Sequence, residues 1–296
     1  MNPTMISATV PPRGNTVQRH AMTIDVEDYF QVQAFAGAIR RADWDQIPCR
    51  VEANVERLLA QLDRAGAKAT FFTLGWIAER HPTLVRRVVA AGHELASHGY
   101  DHTRADTQQP GTFRADIRRA KRILEDVGGV RVIGYRAATF SIGARNPWAF
   151  GILAEEGHRY SSSTYPVKHD LYGDPDGARA PYIPAGTDLL EIPMTTLRIG
   201  GRNLPCSGGG YFRLLPYPLF RWMFAHCEGV THQPGVFYLH PWEIDPDQPR
   251  VAAPRLARLR HYTNLRRTAV RLDAMLRDFS WDRMDRIYAG QIAAAA

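Results

Sequence analysis

Short apolar segments alternate with segments of helical periodicity along nearly the whole chain, and this alternation constrains the fold more than any other feature. Ala21–Val26 reads as a buried strand ending in acids. Val51, Val55, Leu58, Leu59 and Leu62 recur at helical spacing, and Gly66 stops that helix. Ala69–Leu74 is a strand, Pro82 opens a helix that Gly92 closes, and His93–Ser97 is a third strand. Phe113, Ile117, Ala120 and Leu124 mark a helix, Val132–Arg136 a strand, Pro147–Glu156 a helix, and Tyr160 begins another short strand. A long loop over Val167–Asp188 leads to a strand at Leu189–Pro193 and a glycine-rich segment, Gly208–Gly210. Tyr217–Cys227 is helical, Val236–His240 is a final strand, and Leu265, Leu272, Leu276 and Phe279 give an amphipathic helix. Such repetition implies a parallel sheet or barrel with right-handed crossovers, whose chemistry gathers at the C-terminal ends of the strands.

With 296 residues, 45% of them hydrophobic, the chain can bury a large core. Lysine and arginine total 37 against 30 acids, a formal charge of +7. That balance favours anionic partners, but no compact basic run is interleaved with aromatics, so nucleic acid is not expected. Cys49, Cys206 and Cys227 form no CxxC pair and no even framework, so they read as small buried hydrophobes rather than a disulfide scaffold. The first twenty residues lack a signal-peptide core and no run reaches membrane-span length, so a cytoplasmic enzyme is expected. The expected divisions are a loose arm over 1–19, a barrel over 20–250, and a helical extension over 251–296 whose Pro254–Phe279 helix braces the barrel.

Asp25, His98, Arg136 and His240 all fall at or just beyond strand ends, so four polar residues distant in sequence converge on one face. His98 and His102 lie four residues apart just past a strand and can face one metal ion. They are not the helical HExxH of zinc proteases, because no glutamate follows His98. Asp25, Glu27 and Asp28 put three acids into four positions, which repel one another without a cation. One acid can bind metal while another, beside the bound water, acts as general base. Arg136 can pair with the base carboxylate and lower its pKa. A protonated His240 can deliver a proton to a leaving amine. The plainer alternatives are a helix cap for the acids, a surface arginine, and a satisfied core histidine. The aromatics Tyr211, Phe212, Trp222 and Trp242 are core by default, and near the site they can stack on sugar rings.

Four ordered motifs, Thr23–Phe30, Ser97–His102, Gly134–Arg136 and Leu239–Glu243, carry a family resemblance. The chain resembles the NodB-type polysaccharide deacetylases of carbohydrate esterase family four, over about residues 20–285. More narrowly it is similar to the exosortase-associated exopolysaccharide branch with a C-terminal extension. The resemblance implies an α/β fold, a distorted (β/α) barrel of about seven parallel strands. It implies removal of N-acetyl groups from amino sugars of a bacterial polysaccharide, with exopolysaccharide assembly proteins as further partners. By position, Asp25 matches the catalytic base, His98 and His102 two metal ligands, Arg136 the arginine that holds the base, and His240 the general acid. Leu239 matches a residue of the acetyl-methyl pocket, and Tyr135 and Trp242 join it as substrate-binding candidates.

The implied cofactor is a divalent metal, Zn²⁺ first, with Co²⁺, Ni²⁺ and Fe²⁺ also suited to mixed nitrogen and oxygen donors. Two departures from the family pattern matter. The usual pair of adjacent aspartates is here Asp25-Val26-Glu27-Asp28, so the third ligand is Glu27 or Asp28. Strand alternation favours Glu27 and a turn favours Asp28. Where many members have an aspartate after the arginine strand, this chain has Ser161-Ser162-Ser163. Two rival functions remain: an allantoinase-like amidohydrolase of small amides, and a non-catalytic carbohydrate-binding subunit.

Overall fold

The computed structural model describes residues 18–231 and 233–296, so the arm expected over 1–19 lies almost wholly outside the described residues. In chain order the elements are β1 (Arg19–Val26), α1 (Val51–Arg64), β2 (Thr70–Thr73), α2 (Gly75–Arg80), α3 (Pro82–Ala90) and β3 (Glu94–Ser97). Then come α4 (Pro110–Gly128), β4 (Gly134–Tyr135), α5 (Trp148–Glu155), β5 (Tyr160–Ser161) and β6 (Leu190–Glu191). The hairpin β7 (Thr196–Ile199) and β8 (Arg202–Pro205) precedes α6 (Gly209–Leu214), α7 (Tyr217–Thr231) and β9 (Val236–Leu239). The C-terminal segment adds α8 (Arg255–Tyr262), α9 (Leu265–Asp278), β10 (Ser280–Asp282), α10 (Met284–Ile287) and α11 (Ala289–Ala295).

Seven strands in the order β9-β1-β2-β3-β4-β5-β6 make a parallel half-barrel, the α/β architecture that the alternation implied. β10 is the eighth strand of that sheet. β1 pairs with β9 through Ala21–Ile24, with β2 through Thr23–Val26, and with β10 through Arg19–Ala21. A strand has two edges, so β10 and β2 lie end to end along the edge of β1 that β9 leaves open. The segment 251–296 is therefore not purely helical, because it returns a strand to the sheet. Nor is Pro254–Phe279 one helix: Asn264, at φ 56°, breaks it into α8 and α9.

The largest core lies between β1, β2 and β9 on one side and α1 and α9 on the other, with Phe71, Phe237, Leu239, Leu272, Met275 and Trp281 fully or nearly buried. All seven positions of β1 after Arg19 are buried, which explains its near-continuous apolar reading. The glycine-rich segment caps and begins α6. Cys206 and Cys227 are buried thiols with Sγ atoms 2.8 Å apart, whereas Cys49 is exposed, contrary to the expectation for it. Among the described residues, no helix is long and apolar enough to cross a membrane.

Candidate metal and proton-transfer site

The chain folds back directly after β1. The Glu27 N–H donates to Asp25 O at 3.0 Å, and the Asp28 N–H donates to Gln31 Oε1 at 2.7 Å. This turn sends the three acids of the first motif to different partners. Asp28 Oδ2 accepts the N–H groups of Arg50 at 2.6 Å and Val51 at 2.9 Å, and Oδ1 accepts that of Tyr29 at 2.8 Å. Those of Arg50 and Val51 are donors that the start of α1 leaves without helical partners. Asp28, one of the two candidates for third ligand, thus anchors α1 instead of facing the histidines.

Glu27 faces them. Donor atoms of Glu27, His98 and His102 all lie within 4.8 Å of one another. His98 Nδ1 lies 2.8 Å from the Arg136 carbonyl, which can only accept, so Nδ1 carries the proton and the Nε2 lone pair is left for the cluster. His102 Nε2 stands 3.1 Å from Glu27 Oε2, yet that buried oxygen has no hydrogen-bond partner. Burial lowers the His102 pKa to about 4, so the ring is neutral near pH 7. A buried carboxylate oxygen facing a neutral imidazole nitrogen without a hydrogen bond is an arrangement that a divalent cation resolves. Two imidazoles and one carboxylate form a suitable donor set. His102 also holds a left-handed backbone, φ 60°, a conformation costly for a non-glycine residue and concentrated at functional sites.

Asp25 Oδ1 sits 2.6 Å from Arg136 Nη1. The guanidinium is fully buried and all its donors are used. Nη1 also reaches Thr23 Oγ1, Nε donates to Ser162 O, and Nη2 to Ser162 Oγ and Met194 Sδ. Burial alone would raise the Asp25 pKa, but Arg136, with His98 and His240, outweighs it and holds the carboxyl below its ordinary value.

His240 closes the other side. Its Nε2 lies 3.2 Å from Glu27 Oε1 and its Nδ1 2.7 Å from Glu243 Oε1. Burial would lower its pKa, but Glu27 and Glu243 push it up to about 9. The structure therefore brings together Asp25, Glu27, His98, His102, Arg136 and His240, and it adds Glu243, to which sequence reasoning gave no role.

The three substrate-binding candidates are less uniform. Leu239 is fully buried, paired with Ile24 across the β1–β9 ladder. Trp242 stacks between His240 (5.1 Å) and His261 (4.0 Å) and points Nε1 toward Glu27 Oε1 at 3.4 Å. At 6% exposure it is a brace behind the site rather than an open sugar platform. The Tyr135 ring is turned away from the site. Neighbours on a strand face opposite ways, so with Arg136 inward Tyr135 packs against Phe113 and His158.

Residues 43–160 match the family model "Polysaccharide deacetylase", and residues 162–289 match "Domain of unknown function (DUF3473)". A peptidoglycan-N-acetylglucosamine deacetylase of Bacillus cereus is 33% identical over 73 residues, 25% of this chain and 26% of the relative. A chitooligosaccharide deacetylase of Bradyrhizobium sp. is 36% identical over 86 residues, 29% and 37% of the two chains. The alignments thus span well under half of these curated relatives. A putative polysaccharide deacetylase from Mycobacterium smegmatis shares the fold, with TM-score 0.62 and 23% identity over 99% of this chain and 95% of that one. The chain is thus similar to the polysaccharide deacetylases over residues 43–160 and continues over residues 162–289 into a region that matches DUF3473.

Proposed function

We propose that the chain is a metal-dependent N-deacetylase that hydrolyses N-acetyl groups on amino sugars of a bacterial polysaccharide and releases acetate. One observation carries this reading. Glu27 reaches His102 with one oxygen (3.1 Å) and His240 with the other (3.2 Å), its donor atoms cluster with those of His98, and the buried Asp25–Arg136 pair feels the charge of both His98 and His240. Glu27, His98 and His102 would hold a divalent cation, which would supply a bound water of lowered pKa and a Lewis acid for the acetyl carbonyl. Asp25, held ionised by Arg136, accepts the proton of the attacking water. His240 delivers a proton to the departing nitrogen, which could not leave as an amide anion. The names of the relatives direct the reading toward N-acetylglucosamine polymers. The resemblance to the exosortase-associated branch directs it toward an exopolysaccharide.

The test joins metal analysis of the pure protein with acetate release from N-acetylated chito-oligomers. His98→Ala is expected to lose bound metal and acetate release together, and activity surviving without metal would refute the assignment. Ammonia or ureide products in place of acetate would move the chain to the small-amide class. Unchanged function after Asp25→Asn or His240→Ala would leave only a carbohydrate-binding role.

A further inference from the structure

Building on the deacetylase reading, we infer that the DUF3473 region supplies a device that orients the acid: Glu243, clamped by Arg213, holds His240 so that Nε2 is the nitrogen presented to the reaction. Glu243 Oε1 contacts His240 twice, at the backbone N–H (3.1 Å) and at Nδ1 (2.7 Å), which fixes both the ring's position and its rotation. A carboxylate only accepts, so this bond places a proton on Nδ1 and makes Nε2 the exchanging nitrogen. Glu243 Oε2 takes Arg213 Nε at 2.6 Å, and Arg213 Nη1 donates to the carbonyls of His261 and Thr263 at 3.0 and 2.8 Å. Arg213 and Glu243 are both buried, so the pair is shielded from solvent.

The glycine-rich segment, which the site chemistry left without a role, provides the clearance. A Cβ at Gly209 would lie 2.1 Å from Glu243 Oε1, and one at Gly208 would lie 2.6 Å from the Tyr238 hydroxyl. The serines of Ser161–Ser163 serve the arginine segment. Ser162 binds Arg136, and Ser163 Oγ accepts the Ala137 N–H. The carboxylate that supports His240 in this chain is Glu243. Arg213, Glu243 and His240 all lie within 162–289, so the region of unknown function holds this half of the site. Glu243 also closes a capping box over the turn Pro241–Ile244, so a purely structural role must be separated from an orienting one.

Two substrates make that separation. An N-acetylated chito-oligomer needs its leaving nitrogen protonated, whereas 4-nitrophenyl acetate releases an aryloxide that needs no acid. In metal-loaded Glu243→Gln, kcat for the oligomer is expected to fall about 100-fold or more. KM, metal content and ester hydrolysis are expected to stay close to wild type, while the melting temperature falls because the buried Arg213 loses its charged partner. Gly209→Ala, which drives a methyl into the carboxylate, gives the same split by a different route and serves if Glu243→Gln folds poorly. Retained amide turnover in both variants, or equal loss of amide and ester turnover, overturns the inference. A wild-type protein that releases no acetate from any amide overturns the deacetylase reading first, and this inference with it.

Discussion

Asp25 and Glu94 are two buried carboxylates on one sheet, at opposite ends of the half-barrel. Asp25 lies near the C-terminal end of β1 and Glu94 begins β3. Burial pushes both pKa values up. At Asp25 the Arg136 guanidinium, with His98 and His240, overcomes that push and the carboxyl is held low. At Glu94 the partners are the hydroxyls of Thr70 (2.5 Å) and Tyr160 (2.8 Å) and the N–H of Asp285 (3.2 Å). These do not offset burial, the charge of Asp285 adds to it, and the Glu94 pKa rises to about 7. Burial treats the two acids alike, and the identity of the partner separates them. The acid with a cation is kept ionised beside the Glu27–His98–His102 cluster. The acid with neutral partners fastens the C-terminal segment to the floor of the barrel.

The largest expected effect that sharpens this contrast is on turnover. Asp25→Asn keeps the shape of the pair but removes the base, so acetate release should fall about 10²–10⁴-fold with metal content unchanged. Arg136→Met attacks the same pair from the other side and strands a buried charge. Urea unfolding should show a loss of about 3–5 kcal/mol, and a loss near zero would break the comparison.

At the other end the effect depends on pH. The Glu94 pKa is raised from 4.5 to about 7 in the folded protein. Its contribution is therefore fully present below the ordinary value and is lost as pH rises through about 7. Between pH 5 and 9, the melting temperature of wild type should decline relative to that of Glu94→Gln, and parallel profiles would sink the assignment. The smallest change is Tyr160→Phe. It removes one hydrogen bond, costs about 1 kcal/mol by calorimetry, and leaves acetate release alone.

Much of this was legible in the sequence because apolar runs and helical periodicity follow directly from burial. The strand ends located Asp25, His98, Arg136 and His240, and all four meet in one site. The choice between Glu27 and Asp28 was not legible, because it depends on a turn one residue past β1 and on α1 presenting free N–H groups to Asp28. Arg213 gave no signal, since its role comes from a contact with Glu243 thirty residues away. Glu243 did leave a trace, an acid three residues after His240 with Pro241 between them, but without the fold that spacing reads equally well as a helix cap. β10 went unread because three residues of moderate apolarity become a strand only when the lower edge of β1 is waiting for them.

That late pairing bears on how the molecule is made. Part of one edge of β1, the strand that leads into the acids of the first motif, is covered only when Ser280–Asp282 arrive. On the ribosome Ser280–Asp282 emerge long after the strand that they pair with. Closure waits on a contact of very long sequence separation, which slows folding. A protein cut between the two family-matched regions would lose His240 and a structural seam together.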